Sequence, residues 1–195
     1  MGRRLAGPAP PLRPATEADA PVLAVLMNEA SHGLSLHAWR QTAGAGADPW
    51  SVGAELQAPR AREGLWTVID DGGAPVAGLQ VWPSGGGAPA HSLSAVSRSQ
   101  VELRALVPDA LYINVVATLP EARGRGLGSR LMQAAEAMAR AGGMDRLSLI
   151  VADANAGARR LYARLGYRQV ASRPMVKDGW EGRGEEWLLL VKDLA

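Results

Sequence analysis

The stretch RGRGLG, residues 123–128, decides the reading of this chain. It follows an apolar run from Leu111 to Ala117 that reads as a strand. It opens a run from Leu127 to Arg140 with helical periodicity. A strand, a glycine-rich turn and a helix start together form an anion site. The first turn of a helix has about four backbone N–H groups without intrahelical partners. Their partial charge adds to the helix dipole and favours a phosphate. Gly124, Gly126 and Gly128 let a ligand approach the backbone and make unusual φ inexpensive. Arg123, Arg125 and Arg130 add positive charge at the same spot. The expected ligand carries a diphosphate.

Spacing separates this turn from its relatives. A Walker loop requires a lysine that is absent. The dinucleotide fingerprint, read from Gly124, fails at Ser129. Read from Arg123, the pattern is Arg-x-x-Gly-x-Gly, which resembles the acetyl-CoA loop of the GCN5-related N-acetyltransferase (GNAT) family. VATLPEARGRGLG (116–128) extends the resemblance upstream, with the Pro120-Glu121 pair common in that family. NAGARRLYARLGY (155–167) resembles the family's second signature, with Tyr167 in place of the usual Phe. One helix and one strand separate the two signatures. The ordered pair is far more specific than either alone.

The resemblance implies an α/β (α+β mixed) fold: a twisted mixed β-sheet flanked by helices, with splayed central parallel strands that admit the cofactor. It implies an acetyl-CoA-dependent N-acetyltransferase acting on a primary amine of a small molecule or peptide. Cofactor contacts are implied at Val116, Ala117, Thr118, Arg123, Gly124, Arg125, Gly126, Leu127, Gly128, Ser129, Asn155 and Tyr162. Val116 to Thr118 would lend backbone groups to the pantetheine arm. Asn155 would touch the same arm, and it also serves as an ordinary helix cap. Tyr162 matches the tyrosine that protonates the departing sulfur, and a phenol of pKa near ~10 keeps its proton at neutral pH. Packing alone also accounts for Tyr162.

No general base stands out. Some relatives carry a glutamate five residues before the second signature, where this chain has Ile150. Asn114 and Tyr112 fall on the same side of the strand as Val116 by two-residue alternation. Asn114 is a candidate for positioning a water. Glu102, Asp109, Glu63, His32, His37 and His91 are the titratable candidates, each also readable as a solvated surface residue. A chain of waters can also carry the proton. Ile150 keeps a second class open, a non-catalytic acyl-CoA-binding sensor.

Composition bounds the rest. With 195 residues, 47% of them hydrophobic, one domain is expected over 12–195, after a disordered leader at 1–11. There is no Phe and no Cys, and the three His lack paired ligand spacing. A disulfide framework, a thiol nucleophile and a metal site are therefore not expected. Trp39, Trp50, Trp66 and Trp82 either wall an acceptor pocket or replace Phe in the core. The net charge is +2, and no run of five basic residues exists, so a nucleic-acid partner is not expected. No apolar run approaches the ~20 residues of a membrane span, and the N-terminus lacks a signal-peptide core. The expectation is a cytoplasmic monomer or homodimer.

Beyond the signatures, Leu12 to Pro14 reads as a first strand, followed by a helix to about Ala30 that starts at Thr16 or Asp19, with Pro21 favouring Asp19 as the N-cap. Residues 31–64 show only weak helical periodicity. A hairpin is expected from Leu65–Asp70 and Val76–Trp82, then a loop over 83–92 and a short helix over Gln100–Leu106. Leu147–Ala152, Tyr167–Ala171 and Glu186–Lys192 read as strands, and Asp153 or Asn155 caps the intervening helix.

Overall fold

The computed structural model describes residues 10–85 and 95–194. His91 and the distal part of the 83–92 loop lie outside the described residues, as does most of the expected leader. Pro10 and Pro11, assigned to the leader by sequence, are hydrogen-bonded: their carbonyls accept from Arg130 Nη2 and from the Asp70 amide.

Seven strands form one sheet: β1 (Leu12–Pro14), β2 (Trp66–Asp70), β3 (Pro75–Pro83), β4 (Leu111–Thr118), β5 (Arg146–Ala152), β6 (Arg168–Pro174) and β7 (Glu186–Asp193). Their order is β1-β2-β3-β4-β5-β7-β6. Every neighbouring pair is antiparallel except β4 and β5. Six helices cover the faces: α1 (Ala20–Ala30), α2 (Leu34–Thr42), α3 (Pro49–Arg62), α4 (Ala95–Ala105), α5 (Leu127–Ala141) and α6 (Ala156–Arg164).

The helix α5 forms because Leu127, Leu131, Ala135 and Ala139 recur every four residues and all are buried. They pack with Leu147, Leu149 and Val151 of β5, and with Tyr162 of α6, on one face of the sheet. On the other face, Leu23 and Leu26 of α1 and Ala61 of α3 cover Trp66, Val68, Val115 and Ala117. Leu103 of α4 covers Leu189 and Val191 beside them.

The two helices across 34–62 were not expected as such. The buried residues of α3 are Gly53, Gln57 and Ala61, which are helically spaced but not hydrophobic, so an apolar count misses them. Gly53 is small because the Trp39 ring lies against it; a Cβ there would approach the ring to 2.6 Å.

Asp19 does precede α1, but its carboxylate turns away from the α1 amides. It accepts from the Thr16 amide at 2.8 Å and from both Arg13 terminal nitrogens at 2.8 and 3.0 Å. Arg13 Nε also donates to Asp70 at 2.9 Å, so β1, β2 and the start of α1 are tied together.

The Arg13 hydrogen bond outweighs partial burial and holds the Asp19 carboxyl at about 2, below its usual 3.8. A depressed carboxyl stabilises the fold above its unfolded pKa, and that contribution vanishes as pH falls through the folded value. Urea denaturation at about pH 5 and about pH 2 should therefore show the wild type losing about 2 kcal/mol more than Asp19→Asn. Equal losses in the two proteins would remove Asp19 from the acid transition.

Candidate active site

The strands β4 and β5 pair at only three positions, Leu111 with Leu147, Tyr112 with Ser148 and Ile113 with Leu149. Past those pairs they part. The outer edge of β4 stays bonded to β3 as far as Thr118, and the outer edge of β5 stays bonded to β7 as far as Ala152. The inner edges, 114–118 and 150–152, face a cleft of about 590 Å³. Their peptide groups there need partners from solvent or a ligand.

The parting begins at a β-bulge. Gln80 pairs with Val115 but Val81 pairs with Ile113, so Asn114 is an extra residue in β4. A bulge reverses side-chain alternation. Leu111 and Ile113 pack toward α5, whereas Val115 and Ala117 pack toward α1, and Val116 now sits on the α5 side. This corrects the expectation that Tyr112 and Asn114 share a side with Val116, because simple alternation assumes an unbroken ladder. Tyr112 is buried beside the Trp82 ring, with the Arg104 guanidinium 5.5 Å from its ring centroid.

Of the residues singled out by sequence, Asn114, Val116, Ala117, Thr118, Arg123, Gly124, Gly128, Asn155 and Tyr162 line the cleft. Arg125, Gly126, Leu127 and Ser129 do not line it. Leu127 is buried in the α5 core. Arg125 Nη1 donates to Asp71 at 2.7 Å. Gly126 and Gly124 have φ of 75° and 77°, and no atom lies within 4 Å of where a Cβ would stand. Gly126 is the N-cap of α5, whose first bonded amide is that of Arg130, so the amides of Leu127, Gly128 and Ser129 form the unbonded first turn. A loop with glycine at every second position, leading into a helix start beside an open strand edge, fits a diphosphate with an extended arm.

Arg123 and Arg125 are already paired. Arg123 Nη2 donates to Glu29 Oε2 at 2.6 Å and its Nε to the Thr118 carbonyl at 3.3 Å. Both residues of the Glu29–Arg123 pair line the cleft, and no local motif in the sequence marks Glu29.

The α6 half of the site is anchored by Asn155, which proves to be the cap where the sequence left Asp153 as an alternative. Its Oδ1 accepts from the Ala158 amide at 3.2 Å. Nδ2 then faces His32 Nε2 at 2.9 Å and donates to it, which places the ring proton of His32 on Nδ1. Asp153 instead accepts from the amides of Ala154 and Glu185. His32 sits in the tight α1–α2 connection at φ 51° and lines the cleft. The other base candidates among the described residues do not line it: Asp109 bonds Arg146, His37 meets the Asp178 carbonyl, Glu102 pairs with Arg173, and Glu63 ends α3.

Tyr162 is buried on α6, its ring 5.8 Å from that of Tyr167. Burial, with a smaller contribution from Tyr112, pushes its phenol up to about 12. Of the four tryptophans weighed for an acceptor wall, none lines the cleft. Trp66 is fully buried and Trp39 packs edge-on against Trp50, so those two belong to packing. The tryptophan at the cleft is Trp187, stacked on Trp180.

The cleft thus passes through the sheet. Glu29, Ala30 and His32 open it on the α1 face, and Gly128, Leu161 and Tyr162 open it on the α5–α6 face. Two ligands can meet there end to end.

Comparison with known proteins agrees with this geometry. A mycothiol acetyltransferase of Beutenbergia cavernae is 46% identical over 67 residues, which are 33% of this chain and 23% of that protein. The chain therefore spans less than a quarter of the relative it matches. A ribosomal-protein-alanine N-acetyltransferase from Brucella melitensis superposes with a TM-score of 0.62 at 23% identity, over 94% of this chain and 99% of the other. A polyamine N-acetyltransferase from Drosophila melanogaster gives 0.62 at 20% identity, over 94% and 99%. Among the described residues, no helix is long and apolar enough to cross a membrane. The model of the acetyltransferase (GNAT) family matches residues 34–167, and the chain belongs to that family.

Proposed function

We propose that this protein moves an acetyl group from acetyl-CoA to a primary amine of a small molecule or peptide. The observation that carries the reading is the opening between β4 and β5, with an unbonded helix start at its rim and a buried phenol on its wall. Acetyl-CoA supplies an acyl group activated as a thioester. The amides of Leu127, Gly128 and Ser129 hold the diphosphate, and the inner edge of β4 at Val116–Thr118 pairs with the amide-bearing arm. Asn155 supports that arm from the start of α6.

The amine enters from the α1 face, past Glu29 and His32. As the C–N bond forms and the C–S bond breaks, the nitrogen loses a proton and the sulfur gains one. Tyr162 delivers the latter: a phenol held near 12 is fully protonated at neutral pH, so its proton is in place when the sulfur departs. The proton on nitrogen leaves through water in the cleft, since the His32 lone pair on Nε2 already accepts from Asn155, and Ile150 takes no part. Asn114 positions a hydrogen-bonding group at the point of divergence. The named relatives act on a ribosomal-protein alanine and on polyamine-type substrates, which sets the panel to screen.

CoA and acetyl-CoA should raise the melting temperature, by about 2.7 kcal/mol of stabilisation at ~100 times the dissociation constant. Thiol release across a panel of polyamines, agmatine and alanine-terminated peptides should identify turnover. A shift with ATP or NADH but none with CoA overturns the reading, and CoA binding without turnover on any amine leaves the sensor.

Gly128→Asp separates cofactor binding from folding. A Cβ at Gly128 meets only the Leu161 side chain, at 3.4 Å. An acidic residue in the first turn of α5 favours the helix by about 0.3–1 kcal/mol but repels a diphosphate. Calorimetry should find acetyl-CoA affinity lost while the melting temperature holds or rises.

Tyr162→Phe keeps the ring and removes the proton. Its kcat should fall about 10²–10⁴-fold, with little change in the KM for acetyl-CoA. Near-full kcat would reduce Tyr162 to packing.

A further inference from the structure

A chain of four side chains, three buried and the last half-buried, leads from the α3 side of the core to the bulge. Trp66 Nε1 donates to Gln57 Oε1 at 3.2 Å. Gln80 Nε2 donates to the same oxygen at 3.3 Å. Gln80 Oε1 accepts from Asn114 Nδ2 at 2.7 Å. Gln57 is 1% exposed, and Gln80 and Trp66 are fully buried. The second contact of Asn114 Nδ2 is the Met27 sulfur at 4.0 Å.

Carboxamides are ordinarily ambiguous, since oxygen and nitrogen can be exchanged by a flip. Here the ambiguity is removed at one end. An indole N–H donates and never accepts. Trp66 therefore requires an oxygen from Gln57. That oxygen requires a nitrogen from Gln80, which turns the Gln80 oxygen to Asn114. Asn114 must then offer Nδ2 to the core. None of these bonds uses Asn114 Oδ1, and Asn114 lines the cleft where β4 and β5 part. The direction of the whole relay follows from its donor-only terminus.

We infer that Asn114 Oδ1 is the acceptor that orients the attacking amine, and that Gln57 and Gln80 are positioning residues that hold it so. The inference rests on the acetyl-transfer reading above and goes beyond it. An amine approaching from the α1 face has an N–H to give and a lone pair to aim. An oxygen fixed at the divergence point takes the N–H and turns the lone pair toward the neighbouring thioester carbonyl. A flipped Asn114 would present a donor there and compete for that lone pair. The site therefore selects an amine over an acceptor with no N–H, and fixing the nucleophile's angle acts on the amine rather than on the cofactor.

Two measurements test this. The first is kinetic, with acetyl-CoA and whichever amine of the panel turns over. Asn114→Ala should lower kcat/KM for the amine about 10- to 100-fold while the acetyl-CoA dissociation constant stays within about twofold. Gln57→Met, similar in size but unable to accept from Trp66 and Gln80, should reproduce much of that loss. Gln57→Glu, whose carboxyl oxygen still accepts both bonds, should regain most of it. A merely structural role for Gln57 would lower the melting temperature in both variants without the selective effect on the amine. Wild-type kcat/KM in Asn114→Ala overturns the inference.

The second measurement needs no acceptor. In protein labelled with ¹⁵N-asparagine, the Asn114 Nδ2 protons should exchange with water at least about tenfold more slowly than those of an exposed asparagine, and Gln57→Met should release them. Rapid exchange in the wild type overturns the relay even if an amine turns over. Slow exchange with no turnover on any amine preserves the relay but overturns the role given to Oδ1 together with the acetyl-transfer reading.

Discussion

The divergence of β4 from β5 is the constraint on which the rest of this molecule depends. A sheet interior normally pairs every peptide group, and leaving several unpaired inside a protein is costly. This chain confines the loss to the inner edges of two strands whose outer edges stay paired, β4 to β3 on either side of the bulge at Asn114 and β5 to β7. The bulge at Asn114 turns β4 after three pairs, so the parallel ladder ends abruptly. Both strands are followed by helices, α5 and α6, so two helix starts fall at the same end of the opening. Positive backbone ends and open strand edges converge there because the two strands run parallel.

The charges around the opening sit in weak, solvent-accessible pairs. Arg123 pairs with Glu29 and Arg125 with Asp71, with side chains about half exposed except for the more sheltered Glu29. Such pairs contribute about 0–1 kcal/mol each. A diphosphate offers an arginine a stronger partner at small cost. Glu29 would then keep its carboxylate on the α1 face, where an amine enters. On the acetyl-transfer reading proposed above, the pair would hold two ligand-binding groups against one another until the ligands arrive.

The parts of the fold written in local pattern were legible, and those written in tertiary contact were not. In α5 every fourth residue is buried and apolar, and in β5 the run from Leu147 to Leu149 is buried, so both were readable. Asn155, Tyr162, Gly124 and Gly128, all within the two signatures, lie together at the cleft. The helix α3 was missed because its buried stripe is Gly53, Gln57 and Ala61. The bulge was missed because an extra residue in one strand leaves no mark until its partner is known. Glu29 was missed because its significance comes from Arg123, 94 residues away. His32, readable as a base or as a surface residue, is exposed, and the fold brings it to Asn155, 123 residues on.

The same reasoning explains why α3 carries a glutamine where a helix of this kind would ordinarily bury leucine. A satisfied polar group inside a core is roughly neutral at best, whereas an unsatisfied one costs about 1–3 kcal/mol. Once Trp66 is fully buried, its indole N–H must find an oxygen, and Gln57 supplies it. Gln57 then has acceptor capacity left for Gln80, and Gln80 for Asn114. Each member is constrained by the one before it, so the absence of Phe and the use of Trp in this core reach the cleft as a definite orientation of one carboxamide. Packing and chemistry are therefore not separable here: the residue that fills the core between α3 and the sheet also sets which atom the bulge presents to a ligand.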